Sequence, residues 1–199
     1  MVYKIALTGG PCAGKTSALK EISVFLKNKG YEAVVVSETA TELMNSGITS
    51  AKIGQRNFQK NLLELQLKKE QIFLNCASQL SENAVVIFDR GCLDGKAYLE
   101  DAEYDGILDE LNLNENDILS FYDAVIFLDS AAMSDDKLYS VSDNNPARIE
   151  TEAEAKIINV RTRQVWKNHN SLTIIETETD FKKKISKILS VIENLITKY

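Results

Sequence analysis

The sequence predicts an α/β protein, a three-layer fold in which a parallel sheet carries helices on both faces and a phosphate-binding loop follows the first strand. Two observations lead there. Five short β-rich runs alternate with longer stretches whose apolar residues recur at three- and four-residue spacing, the pattern of a helix-covered parallel sheet. Residues 9–16, Gly9-Gly10-Pro11-Cys12-Ala13-Gly14-Lys15-Thr16, also complete the form G-x-x-x-x-G-K-[ST]. That string lies between an apolar run and an amphipathic one, which is the strand–loop–helix setting the motif requires.

The elements are expected in this order. A first strand covers 3–8. A helix follows over about 15–29, with Ala18, Ile22, Phe25 and Leu26 on one face and Gly30 at its C′ position. Ala33–Val36 form strand two, Ala84–Phe88 strand three, Ala124–Leu128 strand four and Leu172–Ile175 strand five. A long helix at about 55–80 carries a stripe of Phe58, Leu62, Leu65, Ile72, Phe73, Cys76 and Leu80. Residues 134–151 are polar and turn-rich and read as a lid, leading into a helix from about 151 to 168 that carries Arg161 and Arg163. The last helix, about 180–197, has Asp180 as N-cap and Phe181, Ile185, Ile188, Leu189, Ile192 and Leu195 inward; Lys182, Lys183 and Lys184 read as a solvated flank.

The 199 residues are 44% hydrophobic and contain only two prolines, which fits one globular domain with a sizeable core. The net charge of −6 argues against nucleic acid as a partner, so any anion must be held by local features. Three dispersed cysteines, Cys12, Cys76 and Cys92, suit reduced thiols, and the single His169 cannot build a His-based metal site. No apolar run approaches membrane-spanning length, and the chain enters its first strand at once; the expectation is a cytoplasmic protein. The oligomeric state is open, with a homodimer among the candidates.

The chemistry is expected at the carboxyl edge of the sheet. Gly9, Gly10, Pro11, Cys12, Ala13, Gly14, Lys15, Thr16 and Ser17 would hold the nucleotide: converging amides and a helix N-terminus cradle phosphate, and Lys15 reaches the β- and γ-phosphates. Cys12 has no catalytic role in this reading. Thr16 and Asp89 would hold Mg2+, since Asp89 ends an apolar strand as a Walker B carboxylate does. The residue after it is Arg90, not a water-polarising acid, which favours phosphoryl transfer to a bound acceptor over hydrolysis. Glu38, after strand two, is the candidate general base; its other reading is charge pairing at the N-terminus of the next helix. Gln55, Arg56 and Gln59 could line an acceptor pocket or lie on a solvated helix face; Asp94 could orient the acceptor, contribute to the metal shell or start a helix; and Arg148 in the lid, with Arg161 and Arg163, could close on the phosphates or serve in surface ion pairs. Asp129 and His169 read as structural.

Thr8–Thr16, Ser37-Glu38-Thr39-Ala40-Thr41, and Phe88-Asp89-Arg90-Gly91 with Asp94 and Tyr98 together resemble one P-loop family. It is the AAA/kinase group containing the kinase half of bacterial NadR and the TRPL-translocation-defect proteins of animals. Asn145-Pro146-Ala147-Arg148 and Thr179-Asp180-Phe181 add to the likeness, which covers nearly the whole chain. The resemblance implies a nucleoside-kinase-like fold with strand order 2-3-1-4-5, ATP or GTP as phosphoryl donor, and Mg2+. It leaves the acceptor open. The leading expectation is a small-molecule kinase. A nucleotide-dependent switch that binds a protein or lipid partner, or a simple NTPase, is the alternative.

Overall fold

The computed structural model describes residues 2–133, 151–178 and 180–197; residues 134–150 of the expected lid, Arg148 among them, therefore lie outside the described residues. Strand β1 (Val2–Gly9) sits at the centre of a five-stranded sheet. It pairs with β3 (Ala84–Asp89) on one side and β4 (Ala124–Leu128) on the other. β2 (Glu32–Val36) lies outside β3, and β5 (Leu172–Ile175) outside β4. All four pairings are parallel, and the order β2-β3-β1-β4-β5 is the one the resemblance implies.

The central strands read as continuous apolar runs because both of their faces are covered. On one face, Ile5, Leu7, Val85 and Ile87 pack with Leu19, Ile22 and Leu26 of α1 (Lys15–Asn28) and Ile185, Ile188 and Ile192 of α8 (Phe181–Ile196). On the other, Ala6, Val86, Phe88 and Val125 meet Leu63 and Ala77 of α4 (Gln55–Leu80), Tyr104 and Ile107 of α5 (Asp101–Glu110), and Ile118 of α6 (Glu115–Phe121). Trp166 closes that core from the C-terminal end of α7 (Glu152–Val165). Two short helices, α2 (Thr39–Asn45) and α3 (Ser50–Ile53), join β2 to α4. Among the described residues no helix is long and apolar enough to cross a membrane.

Local chemistry sets the helix ends. The amides of Gly30 and Tyr31 return to the carbonyls of Lys27 and Leu26, closing α1 in a Schellman turn with Gly30 at φ +82°. The Asp180 carboxylate accepts from the Lys182 and Lys183 amides, as an N-cap should. α7 opens on a reciprocal Thr151–Glu154 capping box and stops at Trp166, short of the expected end.

Two inward faces differ from the expected ones. In α4, Leu65, Ile72, Cys76 and Leu80 of the expected stripe are exposed, while Gln59, Leu63, Gln66 and Glu70 turn inward. The polar backbone just beyond β3 needs partners there: Gln66 donates to the Arg90 carbonyl, and Glu70 holds the Tyr122 hydroxyl that accepts from the Cys92 amide. In α8, Phe181 of the expected inward face is exposed, and Lys184 is not part of a solvated flank: it is buried with Ile185 and Ile188.

Gly91 touches the indole of Trp166. A Cβ on Gly91 would lie 2.4 and 2.7 Å from two of its ring carbons. Gly91→Ala is expected to destabilise the protein by about 1–3 kcal/mol through overpacking. Trp166 is the only tryptophan, so urea titration followed by its fluorescence measures the loss directly; an unchanged midpoint would contradict the contact.

Candidate functional site

The phosphate-binding loop leaves β1 at the point where chain connections diverge to the two halves of the sheet, the position at which open parallel sheets bind ligands. Gly9 has φ +142°, and a Cβ there would lie 2.1 Å from the Leu128 carbonyl oxygen; only glycine lets the loop begin so close to β4. Gly14 then precedes α1, so the loop ends on a helix N-terminus. Lys15 is buried, its ammonium donating to the Gly9 and Gly10 carbonyls at 3.1 and 3.0 Å. Thr16 and Ser17 are exposed on the first turn of α1. Cys12 is half-buried with φ +56°.

Arg90 is the hub of the opposite wall. Asp89 ends β3 in register with Leu7, and the chain then takes a left-handed bend at Arg90, φ +82°. A non-glycine residue persists in that conformation only where its surroundings hold it. Here the Arg90 carbonyl accepts from Gln66 Nε2 at 3.0 Å, and its amide donates to the Leu7 carbonyl at 3.1 Å. The guanidinium donates to Glu38 Oε1 at 3.1 Å through Nε and to the Gly9 carbonyl at 2.6 Å through Nη1; Asp94 Oδ2 lies 3.6 Å away. Burial works against its charge, but Tyr98, Glu38, Asp94 and Asp89 outweigh burial and raise its pKa. The cation is therefore permanent.

The expected site residues fall into three groups. Glu38, Arg90, Asp94 and the loop converge. Glu38 stands at the N-cap position of α2, as its second reading requires, but its carboxylate caps no amide: Oε1 accepts from Arg90, and Oε2 from the Thr41 hydroxyl at 2.7 Å. Asp94 is buried and accepts from Thr8 Oγ1 and Trp166 Nε1, both at 2.6 Å. Gln59 is buried beside Gly95, adjoining this cluster. Gln55 is half-buried at the start of α4. Arg56 instead pairs with Glu110 of α5 at 2.5 Å, where Lys60 also binds. Arg161 donates to the Leu99 carbonyl, and Arg163 lies 3.9 Å from Asp129; both contacts fasten α7.

Several residues that shape the site carried no motif. Asn159 of α7 accepts from the Gly10 and Ser130 amides at 3.2 and 2.9 Å and donates to Asp129 Oδ1 at 2.9 Å, tying the loop to the end of β4. His169 has the structural place read for it, its Nδ1 accepting from the Ser171 amide and its Nε2 donating to the Tyr122 carbonyl at 3.0 Å. Helical phase offers a signal for Gln66 and Glu70, which follow Leu62 and one another at four-residue spacing.

Glu70 lies beneath Arg90. It accepts from Gln66 at 3.1 Å and from the Tyr122 hydroxyl at 3.0 Å, and that hydroxyl accepts from the Cys92 amide at 2.8 Å. Burial pushes the Glu70 carboxyl up to about 7, against the opposing pull of the Gln66 and Tyr122 hydrogen bonds. The folded protein thus keeps a proton that an unfolded chain loses near its ordinary value of 4.5. The stability tied to that proton is fully present below pH 4.5 and is lost as pH rises to about 7, an effect on the order of 3 kcal/mol. Glu70→Gln is expected to flatten this slope. Urea unfolding at pH 5 and pH 8 checks it: the wild type should lose stability between them relative to the variant, and parallel behaviour would rule the effect out.

A glycine-wrapped loop at the switch point of a 2-3-1-4-5 parallel sheet, followed by Lys15 and a helix N-terminus, defines a P-loop nucleotide-binding domain. The chain belongs to the AAA domain family, whose profile matches residues 4–184. Two solved structures share the fold. Deoxyadenosine kinase from M. mycoides with bound dATP is 22% identical, with a TM-score of 0.65, covering 96% of this chain and 99% of that one. The same kinase with bound dCTP is 19% identical, with a TM-score of 0.59, covering 98% and 100%. No curated protein sequence matches the chain.

Proposed function

We propose that this protein is a P-loop kinase that transfers the γ-phosphoryl group of ATP or GTP to a hydroxyl of a small, nucleoside-like acceptor. One observation carries the reading. Arg90 links Glu38 to the Gly9 carbonyl, so a carboxylate, a permanent cation and the phosphate loop meet at one edge of the sheet. In the transfer, the acceptor oxygen bonds to the γ-phosphorus, the bond to the bridging β–γ oxygen breaks, and the acceptor proton passes to Glu38. The loop of residues 9–17, through main-chain N–H groups after Pro11, and Lys15 hold the donor, and Arg90 steadies the charge on the transferring group. Gln59 and Asp94 edge the acceptor side, with Gln55 at its rim; Arg148 would join on closure.

Thr16 and Asp89 offer hydroxyl and carboxylate oxygens, the hard donors Mg2+ prefers. Among the described residues no three His, Cys, Asp or Glu side chains gather as a metal cage. One hydroxyl and one carboxylate oxygen fit an ion that takes nucleotide phosphates and water as its remaining ligands. When bound, Mg2+ supplies charge neutralisation at the β- and γ-phosphates.

The likeness to the M. mycoides kinase supports a nucleoside-like acceptor. The Ser37–Thr41 and Asp89–Asp94 stretches support a closer kinship with the NadR kinase half and the TRPL-translocation-defect proteins. Cys12, Cys76 and Cys92 are not joined in disulfides, which supports a cytosolic setting. Incubation with ATP or GTP, Mg2+ and a panel of nucleosides, followed by mass spectrometry of products, tests the proposal. Acceptor-dependent phosphorylation is expected. Phosphate release without an acceptor indicates an NTPase, and tight binding with neither indicates a switch.

A further inference from the structure

Each carbonyl from Gly9 to Ala13 accepts a hydrogen bond from a group that draws it away from the neighbouring amides. Gly9 takes Arg90 Nη1 and Lys15 Nζ, and Gly10 takes Lys15 Nζ. Pro11 takes the Ser130 hydroxyl, Cys12 the Ala131 amide at 3.4 Å, and Ala13 the Lys184 ammonium at 3.0 Å. In a trans peptide the carbonyl and the following N–H point in opposite directions. A tether on one carbonyl therefore turns the next N–H the other way; Pro11 has none and the Gly10 amide donates to Asn159, so the amides left to form an anion-binding nest are those of Cys12, Ala13 and Gly14.

Lys184 stands apart among these tethers. It comes from α8, 171 residues from Ala13 in sequence, and it also donates to the Asp129 carbonyl at 3.0 Å, at the end of β4. It is buried, with 6% of its surface exposed, although a lysine on a polar flank would reach solvent. We infer that Lys184 is a positioning residue of the phosphate-binding loop, bracing the Ala13 carbonyl against β4 so that the Gly14 amide faces the phosphate. Burial lowers its ammonium to about 8 while Asp129 opposes that fall, so the group stays charged at neutral pH and adds positive potential behind the loop. The inference rests on the reading of this loop as a nucleotide phosphate site and assigns that site a second lysine.

Calorimetry on the full chain, with Mg-ATP and with magnesium tripolyphosphate as separate probes, tests it. Lys184→Met keeps the side-chain bulk and removes the donors. It is expected to weaken both ligands by a similar factor, on the order of tenfold to a hundredfold, while Trp166 emission reports a folded protein. Both probes should suffer alike because the brace acts on phosphate and not on base. Lys184→Ala supplies the second readout: propylammonium, which fits the vacated channel, should restore affinity in proportion to its concentration. Wild-type affinity in Lys184→Met overturns the inference. So does a folded Lys184→Ala protein whose weakened binding propylammonium leaves unchanged. If the wild-type chain binds neither probe, the nucleotide reading itself fails and takes this inference with it.

Discussion

Lys15→Ala is expected to reduce nucleotide turnover to background while the protein stays folded. The loop amides can still surround a phosphate in the variant, but the one cation set within the loop is gone. Charge that builds on the bridging and γ-oxygens during transfer then meets backbone dipoles, Arg90, bound Mg2+ and the field of Lys184 behind the loop, with no side-chain cation inside the loop itself. Losing a preorganised donor of this kind costs on the order of 100- to 1,000-fold, and a full positive charge is worth at least that much. The fold should tolerate the change. The Gly9 carbonyl keeps its 2.6 Å bond from Arg90, leaving chiefly the Gly10 carbonyl to lose a donor. That penalty is about 1–2 kcal/mol, a few degrees of melting temperature for a chain of this size. Product formation and thermal melting on the same preparation check both halves. Turnover at the wild-type rate would refute the site.

Glu38→Gln is expected to lower kcat by at least ~100-fold with nucleotide affinity nearly unchanged. The substitution keeps size and an oxygen acceptor, so the Arg90 Nε bond at 3.1 Å has a partner still, and Arg90 keeps Asp94 and the Gly9 carbonyl. What disappears is the capacity to take a proton from the acceptor. The Arg90 partnership has a second consequence: it fixes the carboxylate's direction, whereas a free glutamate at a strand end would sample several rotamers. Steady-state kinetics with the acceptor found by the nucleoside panel, paired with a binding titration, separates the roles. A loss of less than a few-fold would rule out the base and leave Glu38 as the ion-pair partner of Arg90.

Much of this was written in local stretches of chain. The glycine spacing of residues 9–16, the apolar runs of the five strands, Gly30 as a helix stop and Asp180 as a helix start each depend on neighbours a few residues away. They could be read without knowing where the chain goes next. The long helix has its expected limits, 55–80, and Phe58 and Leu62 face inward as the stripe predicts, but Leu65, Ile72, Cys76 and Leu80 do not. An apolar stripe marks the buried face only where the opposing surface is apolar, and the backbone after β3 is not. The same reasoning applies to Lys184. It lies on the apolar side of α8, three residues after Phe181 and four before Ile188, but a charge beside two other lysines reads as solvated until something buried is found that needs its protons.

The amino-acid order by itself determined that a phosphate loop ends the first strand of a parallel α/β sheet, because such signals are carried by short-range backbone and hydrophobic preferences. Which side chains meet at that loop was decided only by tertiary structure. Arg90 reaches Glu38 across 52 residues, Asn159 reaches Gly10 across 149, and Lys184 reaches Ala13 across 171. Such meetings arise when the strand order brings distant strand ends to one edge, and they hold because buried charges and amides left without partners there would cost more than the fold can spare.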